Sequence, residues 1–126
     1  MPDAQPVRVF LYGTLRRGGS AADLLRGCTP LGPATVRGRL YDLGAYPALI
    51  LDPAGHPVHG EVWECPAQLV GQLDRYEGTA GGLFERVEVA IRRRPCYVYM
   101  AGPALRPRLR DAPLLTGGRW PVSGDG

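Results

Sequence analysis

Residues 48–78, ALILDPAGHPVHGEVWECPAQLVGQLDRYEG, change periodicity halfway along. Ala48 to Leu51 is a short apolar run. Asp52, Pro53 and Gly55 are turn residues, and Val58 to Glu64 then alternates, so the two runs read as the partners of a hairpin. Pro66 follows, and proline suits the first position of a helix because its missing N–H has no intrahelical partner there anyway. Leu69, Val70, Leu73 and Tyr76 recur at helical spacing, which predicts one apolar face turned to the core. Gly78 stops the helix. Strand, turn, strand and helix in one uninterrupted stretch set the class as α+β.

The flanks extend the pattern. Val7 to Tyr12 is a β-rich apolar run ending at Gly13 and reads as a buried strand. Ser20 suits an N-cap, with a short helix over 21–26 and Gly27 behind it. Thr35 to Tyr41 alternates as a half-buried strand does. Gly81 and Gly82 lead into Phe84 to Ile91, where Phe84, Arg86, Glu88 and Ala90 share one face and Glu85, Val87, Val89 and Ile91 the other. Tyr97 to Ala101 is a last strand. Eighteen glycines and thirteen prolines cut the chain into short segments, which favours strands over long helices. The expected fold is a small curved sheet or partly closed β-barrel flanked by two helices, over residues 1–104. Residues 105–126 read as a Pro/Arg-rich tail, wrapping or partly disordered, with Trp120 docking back.

Composition narrows the function. The chain has 126 residues, 44% hydrophobic and 21% charged, which fits one soluble domain with a sizeable core. No apolar run nears the length of a membrane span. The segment from Met1 to Gln5 lacks a basic n-region, so a secretory signal is not expected, and a cytoplasmic location is. The net charge is +3, yet every basic residue is arginine, and lysine and asparagine are absent, the habit of a GC-rich genome. The one dense run, Arg92 to Arg94, falls in a strand-like segment and reads as a solvated strand end and turn, so no nucleic-acid partner is expected. Cys28, Cys65 and Cys96 are odd in number and form no CxxC pair, which fits a reducing compartment. His56 and His59 would point to opposite faces of an extended segment, so they make a poor metal pair.

Three places could carry chemistry. Tyr12-Gly13-Thr14-Leu15 follows a strand end, where a glycine lets peptide N–H groups turn into a cavity and bind an anion or a developing oxyanion. Alternatively, it is a plain strand-to-loop turn. Glu77 sits in the last turn of the predicted helix, the negative pole of the macrodipole, where a carboxyl is nudged toward the neutral form. That direction suits a general base near neutral pH, though a solvated helix end has the same sequence signature. Tyr97 and Tyr99 share a face of the last strand. A phenol there could orient a substrate or simply pack in the core.

In order and spacing these segments resemble the gamma-glutamylcyclotransferase-like superfamily. Tyr12-Gly13-Thr14-Leu15-Arg16-Arg17-Gly18 is similar to its YGTL/YGSL loop. Val36-Arg37-Gly38-Arg39-Leu40-Tyr41, Tyr46-Pro47-Ala48-Leu49 and Val58-His59-Gly60-Glu61-Val62-Trp63 follow. Leu73-Asp74-Arg75-Tyr76-Glu77-Gly78, Phe84-Glu85-Arg86-Val87-Glu88-Val89 and Tyr97-Val98-Tyr99 complete the match, with a weaker echo at Gly118-Arg119-Trp120. The gamma-glutamylamine cyclotransferase and YtfP-like branch is the most similar. The resemblance implies a small β-barrel with a cavity between the Tyr12 to Leu15 loop and Glu77. It implies cleavage of a γ-glutamyl amide to 5-oxoproline and a free amine, with Glu77 catalytic and Tyr12, Gly13, Thr14, Leu15 and Tyr99 on the substrate. No cofactor or metal is implied, and the partner is a small γ-glutamyl molecule. Phe84 stands where relatives often carry tyrosine and is expected to touch neither loop nor base. A non-catalytic member binding a small metabolite on the same fold is the alternative. Removal of a γ-glutamyl protecting group is a variant of the first reading.

Overall fold

The computed structural model describes residues 5–13 and 22–120. Six strands form one sheet: β1 (Val7–Leu11), β2 (Thr29–Asp42), β3 (Pro47–Leu51), β4 (His56–Cys65), β5 (Phe84–Ile91) and β6 (Arg94–Ala101). Their order is β3-β2-β4-β1-β6-β5. All neighbours are antiparallel except β1 and β6, which run parallel with Val9 opposite Tyr97. The sheet curls until β3 lies against β6, giving a partly closed barrel.

Alternation in the strands builds two cores. On β1, Val9 and Leu11 join one cluster with Leu73, Trp63, Phe84 and Tyr99. Phe10 and Tyr12 point the other way, into a cluster with Leu40, Leu49, Val58 and Val98. β6 divides likewise, Tyr99 and Ala101 on one side, Cys96 and Val98 on the other. The central strands are therefore buried on both faces, which is why they read as unbroken apolar runs.

One pairing differs from expectation. β3 and β4 are not hairpin partners; both pair antiparallel with β2. β2 is long enough to serve both, because it begins at Thr29 rather than Thr35. Its C-terminal part, Gly38 to Asp42, takes β3, and its N-terminal part takes β4 up to Gly38 opposite His56. Gly38 is the junction. A Cβ there would stand 2.5 Å from the Ile50 carbonyl oxygen, so only glycine lets the backbones close. Pro30, Gly32 and Pro33 hid the start of the strand, and the register shifts between Pro30 and Gly32, where a bulge absorbs the prolines.

The helices are shorter than predicted. Ala22–Leu25 is a single 3₁₀ turn, and Ser20 and Ala21 lie outside the described residues. Pro66 is the extended residue ahead of a 3₁₀ turn, Ala67–Leu69, which runs into the one α-helix among the described residues, α1 (Val70–Glu77). Leu73 is fully buried, whereas Tyr76 is 45% exposed and turns away from the core. Arg92 and Arg93 both take positive φ, 53° and 66°, and form the exposed two-residue turn between β5 and β6.

Beyond β6 the chain returns across the sheet. Leu105 is fully buried and Leu109 nearly so, both in the first core. Tyr41 bridges to Leu114, the Leu115 N–H donates to the Leu40 carbonyl at 2.7 Å, and the His59 N–H donates to the Gly118 carbonyl at 2.8 Å. Cys28, Cys65 and Cys96 are free thiols. No helix among the described residues is long and apolar enough to cross a membrane. Among those residues no cluster of three or more His, Cys, Asp or Glu could hold a metal.

Candidate active site

α1 is anchored by Leu73, and Glu77 lies one turn further along the same face. Gly78 ends the helix in the left-handed conformation, φ 70°, which glycine adopts at no steric cost. Its carbonyl then accepts the Leu83 N–H at 3.1 Å, folding the chain straight back into β5. Glu77 and the start of β5 are thereby placed side by side.

A cavity of about 300 Å³ opens where these elements meet the end of β1. Leu11, Tyr12 and Gly13 contribute from β1 and its exit, and Tyr46 and Pro47 from the approach to β3. Tyr76 and Glu77 come from α1, Leu83 and Phe84 from the start of β5, and Tyr99 from β6. The Tyr46 and Phe84 rings meet edge to face at 5.8 Å. Of the residues predicted from sequence, Tyr12, Gly13, Glu77 and Tyr99 line this one hollow. Thr14 and Leu15 lie outside the described residues. Phe84 also lines the cavity, brought there by the reversal at Gly78, with its ring against Tyr46.

The site's electrostatics follow from burial. Desolvation pushes the Glu77 carboxyl up to about 8. The Tyr12 phenol is raised well above its ordinary value, by burial first and then by the Glu77 charge. Burial, the hydrogen bond to Asp74 and the Asp74 charge raise the Tyr99 phenol, and Glu77 adds to this while Arg86 opposes it. One carboxylate thus raises both phenols, and all three residues line the same cavity. The Tyr12 hydroxyl donates to the Tyr99 carbonyl at 2.5 Å, and the Tyr99 hydroxyl donates to Asp74 Oδ1 at 2.6 Å. Tyr99 therefore ties the end of β1 to α1.

Sequence reasoning gave no role to Tyr46, Pro47, Leu83 or Asp74. The first two belong to the Tyr46-Pro47-Ala48-Leu49 segment, whose spacing was noted without a function. Asp74 lies on α1 three positions before Glu77 and joins the site through the Tyr99 hydroxyl, a contact that spacing along the helix does not report.

The chain's similarities agree with this architecture. The family described as "Gamma-glutamyl cyclotransferase, AIG2-like" matches residues 9–122. A Vibrio cholerae protein named as a candidate gamma-glutamylcyclotransferase is 44% identical over 72 residues, 55% of this chain and 60% of its own. A gamma-glutamylaminecyclotransferase of Bos taurus is 33% identical over 109 residues, 72% of this chain and 63% of its own. Both matches span less than two thirds of the relative's length. The crystal structure of an AIG2-like protein from Mus musculus superposes with a TM-score of 0.81 at 21% identity, covering 97% of this chain and 92% of that one. With nearly the whole described sheet, α1 and the returning tail inside the matched span, the chain belongs to the gamma-glutamyl cyclotransferase, AIG2-like family.

Proposed function

We propose that this chain is a cofactor-independent gamma-glutamyl cyclotransferase with Glu77 as its general acid and base. The observation that carries the reading is a carboxyl held at about 8 by burial in a cavity it shares with Tyr12, Gly13 and Tyr99. The substrate α-ammonium sits on a carbon that also bears a carboxylate and holds its proton more tightly than a peptide N-terminus does, so raising Glu77 by burial narrows the gap between base and ammonium, the direction that favours general catalysis.

The steps balance without a protein nucleophile. Ionised Glu77 takes a proton from the substrate α-ammonium. The freed amine attacks the γ-carbonyl carbon, closing a five-membered ring, and the carbonyl oxygen gains charge. In this reading the main-chain donors for that oxygen, or for the substrate α-carboxylate, come from the exit of β1 at Tyr12 and Gly13, which line the cavity. The C–N bond to the leaving nitrogen then breaks as Glu77 returns the proton to it, and the ring nitrogen gives up its second proton, by way of Glu77, to the departing amine, releasing 5-oxoproline and the amine as its ammonium ion. Such acid–base transfer is typically worth about 10²–10⁴-fold in rate. Holding the flexible γ-glutamyl chain curled within the cavity supplies an entropic share of the barrier reduction. Three free thiols suit a reducing, cytoplasmic setting.

The test is incubation with a panel of γ-glutamyl amides, detecting 5-oxoproline, with Glu77→Gln as the partner protein. Product from the wild type and a loss of at least a hundredfold in the variant supports the reading. Equal turnover in both removes Glu77 from the mechanism. Binding without product in either leaves a metabolite-binding member of the fold.

A further inference from the structure

Tyr99 is held at both ends. Its carbonyl accepts the Tyr12 hydroxyl, and its own hydroxyl donates to Asp74 Oδ1. The same Oδ1 receives Nε of Arg86 at 3.1 Å, and the Arg86 guanidinium lies 4.6 Å above the Tyr97 ring. Asp74 does not line the cavity. It borders a separate shallow groove with Thr79, Glu85 and Arg86, so Tyr99 is its route to a ligand in the cavity.

The direction of the hydrogen bond follows from the groups. An ionised carboxylate only accepts, and a phenol has one proton. With that proton committed to Asp74, the Tyr99 oxygen can offer a ligand lone pairs alone. Next to Glu77, an acceptor is the complement of a substrate nitrogen carrying two or three hydrogens. Were the Tyr99 proton released, it could turn into the cavity and meet that nitrogen hydrogen to hydrogen.

We propose that Asp74 is a positioning residue acting through Tyr99: by taking the phenol proton, it makes the Tyr99 oxygen the acceptor for the substrate α-amino group, holding the nitrogen beside Glu77. Arg86 fixes the orientation of the carboxylate through the shared oxygen. Burial and the neighbouring Asp74 also raise the phenol's pKa, so Tyr99 keeps its proton in the neutral range. This inference rests on the cyclotransferase reading.

The experiment compares two ligands in five proteins. The ligands are a γ-glutamyl amide, as substrate, and the matching glutaryl amide, which lacks the α-amine, as competitive inhibitor. The proteins are the wild type, Asp74→Ala, Asp74→Asn and Tyr99→Phe with and without Asp74→Ala. A hydrogen bond to a charged group corresponds to about a tenfold effect or more. Asp74→Ala is expected to raise KM for the γ-glutamyl amide by that factor and leave Ki for the glutaryl amide within about twofold. Asp74→Asn is expected to recover most of the loss, because a single amide oxygen can replace Oδ1 for both donors. In the Tyr99→Phe background, Asp74→Ala is expected to add nothing. A Ki that rises in step with KM overturns the inference, since a merely structural defect weakens both ligands. An unchanged KM in Asp74→Ala overturns it too. Wild-type protein that forms no 5-oxoproline sinks the cyclotransferase reading, and this inference with it; wild-type turnover alongside either of the other two results sinks the inference alone.

Discussion

Replacing Glu77 with glutamine should make the protein more stable as well as inactive, and the gain should depend on pH in a defined way. The folded chain holds the Glu77 proton near pH 8, whereas the unfolded chain releases it in the ordinary carboxylate range. Between those values the native state binds more protons than the unfolded one, so Glu77 makes stability fall as pH rises. Its favourable contribution is complete below about pH 4.5 and has gone once pH passes 8. Each tenfold difference in proton affinity is worth about 1.4 kcal/mol, which sets a ceiling of about 5 kcal/mol on the effect. Local relaxation will bring the measured figure to a few kcal/mol, still large for a domain whose net stability is about 5–15 kcal/mol. Glutamine is neutral throughout. The stability difference between variant and wild type should therefore be flat below pH 4.5, climb in the variant's favour to about pH 8, and level off. At roughly 4 °C per kcal/mol, the melting temperatures should diverge by about 10 °C at pH 9 relative to pH 4.5. Paired calorimetric scans from pH 4 to 9.5 measure this directly. Two curves that stay parallel across that window would falsify the claim that the Glu77 carboxyl is desolvated.

Further outcomes follow from other contacts. Tyr12→Phe removes the donor to the Tyr99 carbonyl and should cost about 1–3 kcal/mol in urea unfolding, because a buried acceptor loses its partner. Leu105→Ala should cost about 2–5 kcal/mol by the same measurement, since Leu105 is fully buried in the first core; a cost under about 0.5 kcal/mol would show that the returning tail packs too loosely to matter. Replacing Arg92 by asparagine and Arg93 by glycine relieves two side-chain-bearing residues of positive φ and should raise the melting temperature, by about 1 kcal/mol in stability.

What could be read from the chain was whatever its neighbours along the sequence decide. The spacing of Leu69, Leu73 and Gly78 placed Glu77 at a helix end, and the alternation of β6 put Tyr97 and Tyr99 together. The Asp52 to Gly55 turn suggested a hairpin because turn residues report a local reversal and are silent on which strand lies alongside. That choice fell to β2, whose first half was concealed by Pro30 and Pro33 and made usable by a bulge. The Tyr99–Asp74 contact was likewise invisible, since it depends on how far the sheet curls and on the reversal at Gly78, both products of packing. Tyr76 was misassigned for a related reason. Helical spacing names the apolar residues of a face, but the width of the face that is covered depends on what packs there.

The parallel pairing of β1 with β6 has a consequence for biosynthesis. The Tyr12–Tyr99 bond joins residues 87 positions apart, so on the ribosome the first strand emerges long before the sixth. Until then one flank of β1 has no neighbour, and the wall that Tyr99 contributes does not exist. The cavity beside Glu77 is consequently among the last parts to assemble, and the nascent protein passes through an interval with an open, sticky strand that chaperones are suited to shield.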